Sequence, residues 1–188
     1  MMHGADRGHL VGVALLSALL AFAASPAYAD QIEGHAIIQF NATSTLHDFE
    51  GSVAPFAFAL VADERGRWSA EVDVPAAALQ TGNASRDDNM RSMLDAETFP
   101  LIHGSFHNID PDSVRRLGEL PFVLRIRSVS RPIRAEVVDW VQVNDNKLQF
   151  DVHFPISLAD FSLEAPSFLF IRVGDTVQLT VHVTVQRV

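Results

Sequence analysis

Cysteine is missing altogether. Its absence rules out disulfides, thiolate metal ligands, covalent haem attachment, a thiol nucleophile and a lipidated N-terminal cysteine. Lysine is nearly missing. Lys147 stands alone in the mature segment, beside the turn signal Asn144-Asp145-Asn146, a poor setting for Schiff-base chemistry. Basic residues as a class are outnumbered, 14 Lys plus Arg against 23 Asp plus Glu, and the formal net charge is −9. That balance argues against nucleic acid or an anionic membrane surface as the main partner. Tyrosine occurs once, as Tyr28, against 13 Phe and 2 Trp. Such aromatics have few polar handles and suit a greasy interior better than a hydrogen-bonding active site. What the chain does have is apolar bulk: 48% of its residues are hydrophobic, too many for a disordered segment.

Long apolar runs are scarce as well, with one exception. Leu10 to Ala24 is a run of about 15 residues broken only by Ser17, short of the roughly 20 that span a bilayer. Pro26 follows, then the small-x-small site Ala27-Tyr28-Ala29 before Asp30. The pattern is that of a secretory signal peptide over residues 1–29, with a mature domain over 30–188. An uncleaved anchor is the alternative, and the well-formed cleavage site speaks against it. The expected address is the periplasm of a bacterial envelope, or the medium, and not an integral position in the membrane.

The mature segment reads mostly in twos. Ala36, Ile38 and Phe40 alternate with His35, Ile37 and Gln39; Phe56, Phe58 and Leu60 alternate with alanines. The same period recurs in Trp68–Val74, in Phe122, Leu124 and Ile126, and in Ile133–Val137. It returns in Leu148, Phe150, Val152 and Phe154, and in Val177, Leu179, Val181, Val183 and Val185. Leu101–Ile109 is a poorer example with mixed faces. Each predicts a strand with one dry and one wet face. The short connections, Asp63-Glu64-Arg65-Gly66, Asp110-Pro111-Asp112 and Asn144-Asp145-Asn146, predict antiparallel neighbours. One stretch departs. Ser85-Arg86-Asp87-Asp88 has the form of a capping box, and Met90, Met93 and Leu94 follow at helical spacing before Pro100. This predicts a helix over Arg86 to about Ala96. Ser157–Leu163 suggests a second short turn with Phe161 buried. Eight such strands make an all-β barrel or a sandwich, and periodicity alone leaves a filled core and a ligand chamber both open.

Several stretches resemble the YceI-like family. Thr45-Leu46-His47-Asp48-Phe49-Glu50-Gly51 is similar to the entry to that family's second strand. Leu79-Gln80-Thr81-Gly82-Asn83, Arg86-Asp87, Met90-Arg91 and Phe99-Pro100-Leu101-Ile102 resemble its central signature. Asp160-Phe161-Ser162 and Val173-Gly174-Asp175-Thr176-Val177-Gln178-Leu179 resemble its closing segment, so the likeness covers nearly all of 31–188. Two departures stand out: His103-Gly104 where the family reads Phe, and Ser128 in place of a glycine. The resemblance implies an eight-stranded antiparallel lipocalin-like barrel with one or two short helices. It also implies a long apolar channel that binds polyisoprenoid or other long-chain lipid without catalysis or a resident cofactor. The expected lining is Phe40, Phe56, Phe58, Leu60, Met90, Met93, Leu94, Phe122, Leu124, Phe150, Val152, Phe154, Phe161, Leu179 and Val181. Arg86, Asp87 and Arg91 are the candidates to meet a polar head, or else to hold the helix as a lid. The competing functions are a structural or stress-response barrel acting through its surface, and an accessory protein of quinone or lipid metabolism. The protein is expected as a monomer or a homodimer.

Conventional catalytic sets are weak. Ser44, His47 and Asp48 supply the residue types of a hydrolase triad, but adjacent strand side chains point to opposite faces, and the expected role is to cap a turn. His103 and His107 are four apart, about 13 Å on a strand, so no metal site is expected. The sequons Asn41-Ala42-Thr43 and Asn83-Ala84-Ser85 carry no functional expectation.

Overall fold

The computed structural model describes residues 30–45, 47–165, 167–168 and 171–187. The leader read over residues 1–29 lies outside them. Nine strands alternate with short helices: β1 (Asp30–Ser44), β2 (Phe49–Ala62), β3 (Trp68–Pro75), α1 (Ala84–Leu94), β4 (Leu101–Ile109) and α2 (Pro111–Leu117). There follow β5 (Glu119–Ile126), β6 (Val129–Asn144), β7 (Lys147–Ser157), β8 (Ser167–Phe168) and β9 (Ile171–Arg187). Each neighbouring pair is antiparallel, in the order β1-β2-β3-β4-β5-β6-β7-β9, and β9 pairs back onto β1. Eight strands therefore close a barrel, and β8 is a two-residue partner on the β9 hairpin. Closure removes the sheet edges that an open antiparallel sheet would expose.

The alternation holds in detail. Leu148, Phe150, Val152, Phe154 and Ile156 on β7 are all buried, and Gln149 and Pro155 between them are exposed. The register shifts at several points, and two of these bulges re-aim side chains toward the interior. On β2 the register jumps from Ala36↔Phe56 to Ile38↔Val53, and Ala54 and Pro55 both face outward. Pro55 has no N–H to give to a ladder, so a bulge suits it. The extra residue turns Val53 inward on the same face as Phe56. On β6 the shift lies between Val138 and Val141, with Asp139 at φ 52°. Trp140 is thereby turned to stack between Trp68 (6.2 Å) and Phe150 (5.0 Å), and Val141 is left 52% exposed.

The helices differ from expectation. The first helix starts at Ala84, not Arg86, and ends at Leu94. Its cap is Asn83, whose side chain accepts from the Arg86 N–H at 3.1 Å, and not Ser85. Both residues are good caps, and Asn83 has the extended backbone a cap needs. Asp95 closes the helix in the left-handed conformation. The second helix stands where the sequence suggests only a turn. Asp110 caps it, Pro111 occupies its first turn, and Gly118 ends it at φ 66°, so a complete set of start and stop signals is packed around seven residues. The Ser157–Leu163 turn is a 3-10 turn over Ala159–Phe161, with Phe161 1% exposed.

Candidate functional site: an apolar chamber inside the barrel

The barrel is not filled by its own side chains. A cavity of about 280 Å³ lies inside it, walled by residues from every long strand except β6, from α1 and from α2. Its wall is aliphatic and aromatic apart from Arg86 and the hydroxyl of Ser105. An apolar cavity of roughly 150 Å³ already stays dry and takes up small hydrocarbons, so a larger one of this lining offers water nothing to bond and an apolar chain everything to touch.

Of the residues expected to line a chamber, all but Phe161 do so: Phe40, Phe56, Phe58, Leu60, Met90, Met93, Leu94, Phe122, Leu124, Phe150, Val152, Phe154, Leu179 and Val181. Phe161 is placed elsewhere. It is a core residue, more deeply buried than even Leu60, and takes no part in the cavity wall. Alternation cannot separate a side chain facing a lumen from one facing a core. Sequence reasoning also missed wall residues that come from connections and bulges, among them Val53, Leu79 and Val114. Gly104 is a wall residue of another kind. It pairs with Val72 and Leu124, and a β carbon there would meet nothing within 4 Å. The chamber extends over this missing side chain.

The three charged candidates separate. Asp87, buried at 8% exposure, accepts from the Thr81 N–H at 2.8 Å and from the Thr81 hydroxyl at 2.7 Å. The Thr81 hydroxyl, above all, holds its carboxyl below the usual aspartate value of 3.8; burial opposes, and the Thr81 N–H, Arg91 and Arg86 assist. Asp87 thus ties α1 to the strand-to-helix connection. Arg91 pairs with Asp88 on the helix surface at 2.7 Å and is not in the cavity wall. Arg86 alone reaches the chamber. Its guanidinium lies 4.4 Å from the centre of the Phe49 ring and makes no ion pair among the described residues.

The remaining candidates assemble no chemistry. His47 and Asp48 lie in the β1–β2 connection rather than on a strand. The Ser44 hydroxyl donates to the His47 carbonyl at 2.6 Å, and Asp48 accepts from the Ser44 N–H at 3.2 Å, which shapes a turn. His103 and His107 are drawn toward a common residue. Glu71 on the neighbouring strand sets one oxygen 3.3 Å from His103 and the other 3.6 Å from His107, and Asp73 holds the other face of His103 at 2.7 Å. These are imidazole–carboxylate contacts on the outer face of the sheet, and among the described residues no group of three or more such side chains converges to hold a metal.

A family model for the YceI-like domain matches residues 30–185, nearly the whole of the barrel. The chain belongs to the YceI-like family. Solved structures agree on the fold. Burkholderia cenocepacia BcnA superposes with a TM-score of 0.63 at 19% identity, over 79% of this chain and 95% of that one. A polyisoprenoid-binding domain from Saccharophagus degradans, implicated in plant cell wall breakdown, gives 0.64 at 16% identity, over 83% and 98%. No match to a curated protein sequence was found. The chamber described above is the interior of this YceI-like barrel.

Proposed function

We propose that this YceI-like protein binds one long-chain lipid, a polyisoprenoid or a chain of similar shape, by enclosing it in the barrel. It carries or buffers that lipid in the periplasm once residues 1–29 are removed. The observation that supports this reading is the apolar wall with a single cation, Arg86, at the α1 end. In this arrangement the chain fills the lumen and Arg86 meets its polar head, shielded from water on one side by Phe49. The energetics suit a carrier. Burial of each methylene is worth about 0.8 kcal/mol against water, but the lipid's alternative is a bilayer of equal greasiness, so the net preference is small and reversible. The Saccharophagus domain binds polyisoprenoid, and the shared fold favours the same class of ligand here.

The test is native purification followed by lipid extraction and mass spectrometry. The expected result is a co-purified long-chain lipid, lost in a folded Phe58→Arg variant and retained in Gln178→Arg, which changes the exposed side of β9. Wild-type protein that carries no lipid and takes up no apolar probe would overturn the reading in favour of a barrel acting through its surface.

A further inference from the structure

The wall of the barrel is unevenly stitched. β1 shares twelve paired positions with β2 and twelve with β9, and β7 shares eleven with β9. β2 shares three with β3, all at one end: Leu60↔Ala70, Val61↔Ser69 and Ala62↔Trp68. Beyond Leu60 the next contact of β2 on that side is the isolated bridge of Ser52 to Gln80, past the end of β3. Among the described residues, the backbone from Val53 to Ala59 therefore has no strand partner on its β3 side. β3 continues to Pro75, paired on its other side to β4. The sequence agrees with an open seam. Ala54, Pro55, Ala57 and Ala59 are exposed, and Pro55 has no N–H to leave unpaired. Inside the seam the side chains are Phe56 and Phe58 on one lip and Val72 and Val74 on the other, all in the cavity wall.

We infer that the β2–β3 seam is a lateral portal through which a long, flexible apolar chain enters and leaves the chamber. The inference rests on the chamber reading above. A rigid barrel with paired walls admits a chain only end-on. A seam with an apolar lining and no ladder to break admits it sideways, at the cost of moving side chains rather than strands. Three paired positions between β4 and β5, His103↔Arg125 to Ser105↔Val123, leave the β3–β4 pair lightly held on its far side too, so the lip formed by β3 can yield.

The chain's lack of cysteine makes the test clean. Ala57→Cys with Asp73→Cys places two exposed thiols on opposite lips, to be joined by a bifunctional thiol reagent. Gln39→Cys with Thr180→Cys joins the fully paired β1–β9 wall as the control. The probe is a fluorescent long-chain fatty acid, and loading and release are followed by stopped flow. The seam bridge is expected to slow both at least tenfold, while the unbridged double variant and the control bridge keep the wild-type rates. A bridged seam with unchanged rates overturns the portal. Hydrogen exchange gives a second reading on unmodified protein. Amides 53–59, Pro55 apart, are expected to include a set exchanging far faster than their β1 partners, and uniform protection across β2 overturns the portal. A wild type that never takes up the probe would instead sink the chamber reading on which the portal depends.

Discussion

The ring of Phe58 lies flat on the backbone of Gly34, its partner across β1 and β2, so close that a β carbon on Gly34 would stand 2.6 Å from Cε1. Phe40 and Gly51 repeat the arrangement six residues along β1, with the corresponding distance to Cε1 at 2.7 Å. The two glycines park two large rings against the wall and keep the lumen open between them, over about 20 Å at the usual strand rise.

Gly34→Ala should push the Phe58 ring off the wall and into the chamber. The expected outcome is a loss of at least tenfold in affinity for long-chain probes, about 1.4 kcal/mol, with less effect on short ones. Adding Phe58→Ala should restore the long-chain affinity. Fluorescence titration with fatty acids of graded length checks both, and a single variant that binds every length like wild type would refute the parked-ring account.

Gly104→Leu should do the reverse to the unliganded protein. The new side chain enters open space between Val72 and Leu124. Filling a void commonly adds about 0.5–2 kcal/mol of stability, while bound lipid loses room. Urea unfolding of stripped protein is expected to shift upward as lipid content falls. A parallel fall in both would place the Gly104 position away from the lumen.

Arg86→Ala should leave the fold in place and change the choice of ligand. Wild type is expected to favour a long chain with an anionic end over the matching alcohol, and the variant to bind the two about equally. Competition between a fatty acid and its alcohol measures this. A variant that keeps the wild-type preference would remove Arg86 from the head-group role.

Asp87, Asp110 and Asp175 are all held below the usual aspartate value of 3.8, each chiefly by a side-chain hydroxyl: those of Thr81, Ser113 and Ser157. A carboxyl whose folded value is depressed contributes stability that is complete above the unfolded value and is lost as pH falls through the folded one. Stability should therefore be flat near neutrality and fall below about pH 4. The gap between wild type and Asp87→Asn should be largest at pH 7 and close toward pH 3, as followed by urea midpoints. A gap that persists unchanged at pH 3 would deny the ionised carboxylate its part in anchoring α1.

How much of this was legible in the sequence depended on whether the signal was local. Strands such as Leu148–Phe154 announce themselves because every second side chain is dry. The bulge at Ala54-Pro55 does not, because one inserted residue reverses the parity and hides Val53 among small neighbours. The helix after Asp110 was obscured because seven residues carry too little periodicity to outweigh Asp-Pro as a turn. Glu71 between His103 and His107 depends on which strand lies beside β4, a long-range fact that no spacing encodes. Phe161 and Phe154 look alike in sequence, and the difference between core and lumen arises only when the barrel closes.

That closure joins β1 to β9, residues 32–44 to residues 173–187. Twelve pairings thus link positions well over a hundred residues apart, and they are the contacts of greatest sequence separation in the molecule's ladder. A chain emerging from the ribosome can pair β1 through β7 neighbour by neighbour, but the outer edge of its first strand must wait for its last. High contact order of this kind slows folding and leaves a long-lived open sheet with two unsatisfied edges. The barrel's integrity is decided in its final step, and substitutions on β1 or β9 should act on the folding rate before they act on what the chamber holds.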